Sequence, residues 1–177
     1  MPCRHFMFVA CCLLSFVTCL SVVPAFAQRD AGAKARGDFF FYGHSSHSHL
    51  RGARSHAIHY GRYLAGSREV SPRITLMANT AITQHLVQAH QHLDAIQGEI
   101  EKSGDTESLA AMKEVNDRLD AAKKQHAALQ AAMKPGADPS VVAGQAEKLQ
   151  QALDRSIESH DALLEKLKIP PPDAASP

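Results

Sequence analysis

Residues 71–104 read SPRITLMANTAITQHLVQAHQHLDAIQGEIEKSG, one amphipathic helix with its own start and stop signals. Ser71 is a good N-cap, and Pro72 stands at the first helical position, where its missing N–H group costs no hydrogen bond. Gly104 supplies the left-handed residue that commonly ends a helix. The apolar residues between these signals recur at alternating spacings of three and four. This spacing predicts a helix over 72–102 with one buried stripe.

The C-terminal part of the chain repeats this organisation twice. Asp105 and Asp138 belong to the residue types that cap helix N-termini, and a Pro-Gly pair at 135–136 breaks the chain between them. We therefore predict two further helices, over 106–134 and 139–168. Their apolar residues again alternate in steps of three and four, although polar side chains occupy some positions of these stripes.

The predicted fold is all-α, with an up-down-up three-helix bundle or antiparallel coiled coil over residues 72–169. The connections are short, so neighbouring helices must run antiparallel. The predicted seams are Ile82, Leu86, Ala89, Leu93, Ile96 and Ile100 in the first helix, Met112, Val115, Leu119, Ala122, His126, Leu129 and Met133 in the second, and Val142, Ala146, Leu149, Leu153, Ser156, His160, Leu163 and Leu167 in the third. The same seams leave self-association open as an alternative to a monomer.

Residues 1–27 have the pattern of a secretory signal peptide. Arg4 gives a positive start, an apolar run follows, and Ala25 and Ala27 are the small residues that signal peptidase requires. We expect cleavage before Gln28, export to the periplasm or the extracellular space, and no stable membrane span after cleavage. An uncleaved membrane anchor is the alternative, because the apolar run is about as long as a minimal membrane span.

All four cysteines lie in this leader, at positions 3, 11, 12 and 19. Cleavage would leave a chain without thiols, which excludes disulfides, CxxC redox chemistry, thiolate zinc sites and covalent haem attachment from the mature protein. The sequence contains no nucleophile elbow, phosphate-binding loop or paired-carboxylate motif, and an Ala-rich bundle offers little concave pocket. We therefore expect that the protein is not an enzyme.

The segment between the leader and the first predicted helix has a different composition. Residues 28–73 carry eight basic and three acidic residues, whereas residues 74–177 carry ten basic and fifteen acidic residues. The segment is rich in Gly, Ser, His and Arg and lacks helical periodicity. We therefore predict a largely irregular arm over residues 28–71. A Pro/Ala-rich tail, predicted to be disordered, covers residues 170–177.

Five histidines of the arm are candidate metal ligands. Neutral imidazole binds copper, nickel and zinc, and flexible His-x-His and His-x-x-His spacings can surround one ion. The candidate ligands are His44, His47, His49, His56 and His59. The alternative is a polar, cation-rich arm in which histidine is only a weakly basic, hydrogen-bonding residue.

Two helical histidines, His126 and His160, occupy predicted seam positions. Folding the chain at its two turns places His126 level with Ile82, and His160 beside Met112 and one turn from His92. Imidazole and thioether ligands suit copper(I), so His92, Met112 and His160 form a second candidate metal site. The alternative is that Met112 only fills space in the core, while the histidines are hydrogen-bonded or partly exposed.

The arginines of the arm suggest anionic partners instead of metal ions. Guanidinium groups interleaved with Tyr60 and Tyr63 suit phosphate or carboxylate groups. Candidate partners are anionic envelope material or an acidic protein surface, and export argues against a nucleic acid. The acidic surface of the bundle is an equally good partner, because an arm folded back onto it would explain the uneven charge distribution.

The His/Tyr/Arg-rich arm, the stretch Asn79-Thr80-Ala81-Ile82 that opens a helix, and the ending at residues 164–170, LEKLKIP, form a recognisable layout. This layout resembles uncharacterised secreted helical proteins of planctomycete-type bacteria. The resemblance implies export and brings no activity with it. The sequence as a whole predicts an exported, non-catalytic interaction or structural module of the cell envelope. The alternative is a His-based protein that binds or buffers a transition metal.

Overall fold

The structure is a computed structural model that describes the backbone of residues 25–170 and the side chains of residues 37–170. The chain divides into two units, Met1–Gly37 and Asp38–Pro177, and the packed core belongs to the second unit. Most of the predicted signal peptide lies outside the described residues, as does nearly all of the predicted tail.

The chain from residue 25 to residue 170 contains four α-helices. Helix α1 spans Ala25–Ala65, α2 spans Pro72–Ser103, α3 spans Thr106–Ala132 and α4 spans Pro139–Lys166. The all-α class is therefore confirmed, and α2, α3 and α4 correspond to the three predicted helices. The prediction of only three helices is wrong, because the segment predicted as an irregular arm forms most of α1.

The start and stop signals act at the turns between the later helices. Gly104 takes the left-handed conformation, with φ 70°, and its N–H bonds back to the carbonyl oxygens of the last turn of α2. Asp105 then caps α3 by accepting from the N–H groups of Glu107 and Ser108. Asp138 caps α4 in the same way, accepting from the N–H of Ser140. These turns fix the antiparallel order of α2, α3 and α4.

Helix α1 contacts both α2 and α4, and it runs antiparallel to each. The Tyr60 hydroxyl lies 2.8 Å from the Thr75 hydroxyl at the start of α2. The guanidinium of Arg54 donates to Asp154 of α4. This ion pair joins one arginine of the basic segment to an acidic residue of the bundle. Residues 38–170 thus form an antiparallel four-helix bundle.

The seam of α1 explains why this segment is helical. Among the described side chains, its seam residues are buried, are spaced alternately three and four apart and are Gly43, Ser46, Leu50, Ala53, Ala57, Tyr60 and Leu64, and His47 beside Ser46 is buried as well. Most of these positions carry small or polar side chains, so hydrophobic periodicity is weak in the sequence. Each internal glycine also costs about 1 kcal/mol of helix propensity relative to alanine. Burial of Leu50, Tyr60 and Leu64 against the other helices favours the helix despite this propensity.

Two glycines of α1 allow close approach of neighbouring side chains. A Cβ atom at Gly43 would lie 2.7 Å from Cδ2 of Leu164 on α4. A Cβ atom at Gly52 would lie 2.6–2.8 Å from three ring atoms of His85 on α2. The two glycines are nine residues apart, which places them on opposite sides of the helix. Gly43 therefore serves the α1–α4 contact and Gly52 the α1–α2 contact.

The predicted seams of the other three helices are confirmed with few exceptions. All six predicted residues of α2 are buried, and so are the predicted residues of α3 and α4 except Met133 and Leu167, which are partly exposed. His126 and His160, whose burial the sequence left open, are both buried. Among the described residues, no helix is both long enough and apolar enough to cross a membrane.

Candidate metal centre

His160 is the most deeply buried histidine of the described residues. It lies on the inner face of α4 with no exposed surface, in the seam that also contains Ser156 and Leu163. Its Nε2 atom lies 2.7 Å from the hydroxyl oxygen of Ser46 on α1. Its Nδ1 atom has no hydrogen-bond partner among residues 37–170. A buried polar atom without a partner costs about 1–3 kcal/mol, so this nitrogen calls for an explanation.

The hydrogen bonds of Ser46 determine the tautomer of His160. The Ser46 hydroxyl donates to the carbonyl oxygen of Gly43, at 3.0 Å, one turn earlier in α1. With its hydrogen on that carbonyl, the hydroxyl accepts from His160. Nε2 of His160 carries the hydrogen in this arrangement, which leaves a lone pair on Nδ1. Hydrogen bonding at one ring nitrogen commonly orients a histidine whose other nitrogen binds a metal ion.

Two further ligand groups lie beside this imidazole. His47 follows Ser46 on α1 and is only 5% exposed, and Asp161 follows His160 on α4. Nδ1 of His47 lies 3.0 Å from a carboxylate oxygen of Asp161. The rings of His47 and His160 are 5.7 Å apart, centroid to centroid. Each of His47, His160 and Asp161 offers a ligand atom, and these three atoms lie within 4.8 Å of one another.

The backbone packing of α1 against α4 brings these groups together. Gly43 lacks the Cβ that would meet Leu164, so the two helices approach closely one turn from the site. Ser46 is small enough to lie fully buried opposite His160. The segment that follows α4 also contacts α1, because Nε2 of His44 lies 3.0 Å from the carbonyl oxygen of Pro170. Helix packing therefore places the ligands, and no mobile loop is involved.

Burial keeps His160 unprotonated over the physiological range. Desolvation, with smaller contributions from His47 and His44, lowers the pKa of His160 to about 3. A proton therefore does not compete for its ring nitrogen near neutral pH. Because metal binding requires an unprotonated imidazole, this ligand is ready for an ion without any proton release.

Two imidazoles and one carboxylate are typical ligands of zinc and other divalent transition metals. The Asp161 side chain is half exposed, at 49%, while that of His47 is almost covered. An ion could thus reach the site from solvent past the carboxylate. Asp161 also borders a surface concavity lined by Leu164, Lys168 and Pro170. The arrangement offers three side chains, His47, His160 and Asp161, that could hold one ion.

The five arm histidines that were predicted from the sequence to bind a metal ion do not lie together in the structure. Only His47 belongs to this centre, although His44 is near it through its bond to Pro170. His49 and His56 face α2, where both contact His85. His59 is exposed on the outer side of α1. Helical geometry separates them, since residues two or five apart on a helix point in different directions.

The residues of the second predicted site, His92, Met112 and His160, also have different neighbours in the structure. The ring contacts of His92 are with Phe41, Tyr42 and His49 of α1. Met112 is buried in the core. Because α1 lies between α2 and α4, the partners of His160 come from α1.

Ser46 and Asp161 are the site residues that sequence reasoning missed. Asp161 directly follows the seam histidine of α4, and Ser46 continues the three–four spacing of α1 towards its N-terminus. The spacing of Leu50, Ala57 and Leu64 in steps of seven was the available signal. Extending that repeat backwards reaches Gly43, and the seam position between Gly43 and Leu50 is Ser46.

Comparisons of this chain with models of protein families, with curated proteins and with solved structures give no match.

Proposed function

We propose that this protein binds a divalent transition-metal ion between α1 and α4, with His47, His160 and Asp161 as its ligands. The observation that supports this most is the fully buried His160, whose Nδ1 carries a lone pair and has no partner among the described side chains. An ion at that nitrogen would satisfy it. Zinc, copper(II) and nickel are the ions whose chemistry suits imidazole and carboxylate ligands.

The role that suits this site is binding or buffering of the ion. We also propose that the protein is exported and non-catalytic, because it has a leader sequence and its sequence contains no catalytic motif. The resemblance to secreted proteins of planctomycete-type bacteria and an envelope-interaction role remain predictions. The ion pair between Arg54 and Asp154 favours an intramolecular role for at least one arm arginine.

Replacing Asp161 with asparagine tests the proposed site. The purified full-length protein is stripped of metal with a chelator and titrated with zinc(II) in a calorimeter. We expect zinc affinity to fall by at least about tenfold in Asp161→Asn and in His47→Ala, because each removes one ligand. Copper(II) and nickel(II) titrations then rank the ions.

His59→Ala is the matched control for these variants. His59 is also a histidine of α1, but it is exposed and lies away from the site, so its removal should leave zinc affinity unchanged. Equal zinc affinity in the wild type, Asp161→Asn and His47→Ala would contradict the proposed site.

A further inference from the structure

Four histidines form a continuous row along the α1–α2 interface, away from the proposed α1–α4 site. The row, which we call the histidine ladder, alternates between the helices in the order His92, His49, His85, His56. Adjacent ring centroids are 5.5 Å, 5.4 Å and 5.4 Å apart. All four side chains are partly exposed.

The ladder follows from heptad spacing on two antiparallel helices. His49 and His56 are seven residues apart on α1, and His85 and His92 are seven apart on α2. Residues seven apart lie on the same helix face, two turns from each other. Because the helices are antiparallel, the two pairs interleave. His49 therefore lies between His92 and His85, and His85 lies between His49 and His56.

The central pair of the ladder has the spacing of two ligands on one metal ion. Nδ1 of His49 and Nδ1 of His85 are 3.2 Å apart. With metal–nitrogen bonds of about 2.0–2.1 Å, this separation corresponds to an N–metal–N angle of roughly 100–105°, close to tetrahedral. His56 and His92 adjoin the pair on either side and can supply a further imidazole.

The backbone leaves room for this pair. A Cβ at Gly52 would lie within 2.8 Å of three ring atoms of His85, so only glycine at this position lets the ring lie against α1.

We propose that His49 and His85 form a second transition-metal site, of the zinc, copper(II) or nickel(II) class, so that the protein binds two ions. His47 and His49 are two residues apart on α1 and therefore face in nearly opposite directions, so the two sites share no ligand. The ladder site is partly exposed and has fewer protein ligands close together. It therefore binds more weakly and exchanges its ion more readily than the α1–α4 site.

Ion binding changes the tautomers of the pair without changing its number of protons. In the metal-free ladder, one Nδ1 carries the hydrogen that it donates to the other Nδ1. When both Nδ1 atoms bind the ion, that hydrogen must move to Nε2 of its own ring through solvent. Both rings then carry hydrogen on Nε2 alone.

Zinc titration of the stripped full-length protein tests this second site. We expect two equivalents of zinc by calorimetry and native mass spectrometry, the weaker one absent in His85→Ala. His90→Ala is the control on the same helix, because His90 lies outside the ladder and pairs with Asp94. The titration is repeated in His160→Leu, which lacks a ligand of the α1–α4 site. There the ladder equivalent should remain, so failure of one site is distinguishable from failure of the other.

Gly52→Ala is a second variant that keeps every histidine. Its Cβ must displace the ring of His85, so the weaker zinc equivalent should lose at least about tenfold in affinity. Gly98→Ala in α2, where a Cβ meets nothing within 4 Å, is the matched control. Nitrogen-15 NMR should show both His49 and His85 as Nε2–H tautomers in the zinc-bound protein, and one of them as the Nδ1–H tautomer without zinc. Unchanged zinc stoichiometry and affinity in both His85→Ala and Gly52→Ala would overturn the proposal.

Discussion

Replacing His160 with leucine is expected to abolish ion binding at the α1–α4 site without destabilising the protein at neutral pH. Leucine has a similar volume and fits an apolar seam. Ser46 loses its contact with His160 but keeps its hydrogen bond to the carbonyl of Gly43, so its hydroxyl is not left without a partner. The unpartnered Nδ1 is removed at the same time. Replacing an unsatisfied buried polar group with an apolar one is neutral or stabilising.

The same variant should resist acid better than the wild type. The pKa of His160 is about 3 in the folded protein and ~6.5 when unfolded. The unfolded chain therefore binds the proton first as pH falls. Full stability is present above ~6.5, and about 1.4 kcal/mol is lost for each pH unit below it, down to the folded pKa. By pH 5 the loss is about 2 kcal/mol, and leucine removes it.

Urea unfolding with a chelator present, at about pH 7.5 and at pH 5, measures this difference. The gap in free energy of unfolding between wild type and His160→Leu should widen in favour of the variant by about 2 kcal/mol at the lower pH. A large loss of stability in His160→Leu at neutral pH would mean that the histidine is a structural residue.

Truncating Leu50 to alanine is expected to destabilise the whole bundle by about 2–5 kcal/mol. Leu50 lies on α1 and has no exposed surface, so its removal leaves a cavity among three helices. An irregular arm would lose almost nothing from the same change. Thermal and urea unfolding, followed by circular dichroism, give the measurement.

Leu76→Ala is the control for this second variant. Leu76 is 66% exposed at the start of α2, and surface truncations of this kind usually change stability by less than about 0.5 kcal/mol. If Leu50→Ala and Leu76→Ala behave alike, then α1 is not part of the cooperative core.

The helices whose seams carry large aliphatic residues were predictable from sequence. In α2, every seam residue from Ile82 to Ile100 is apolar, and start and stop signals flank the segment. In α1, glycine, serine and alanine fill most seam positions, and their burial depends on the partner helices. Hydrophobic periodicity cannot show such a seam, because small residues are buried by what surrounds them and contribute little apolar surface themselves.

Because α1 was not predicted as a helix, the predicted contact between His92 and His160 was wrong. In a three-helix bundle α2 and α4 would touch, which is the reason that His92 and His160 were expected to meet. With α1 between them, each histidine faces α1 instead. His126 was expected level with Ile82 and lies one turn away, with its Nε2 3.0 Å from the side-chain oxygen of Asn79. Register along one pair of helices was thus more predictable than the number of helices.

The contact of α1 with α4 pairs the first helix of the bundle with the last. Ser46 and His160 are 114 residues apart in the chain, so their contact closes a very long loop. Closing long loops is slow, and we expect the hairpins between sequence neighbours, including α1 with α2, to form before the contact between α1 and α4 closes. An ion that binds between α1 and α4 would find no site on a chain that is not yet closed, and would add its binding free energy only to the completed bundle. Ion occupancy would then report that folding is complete.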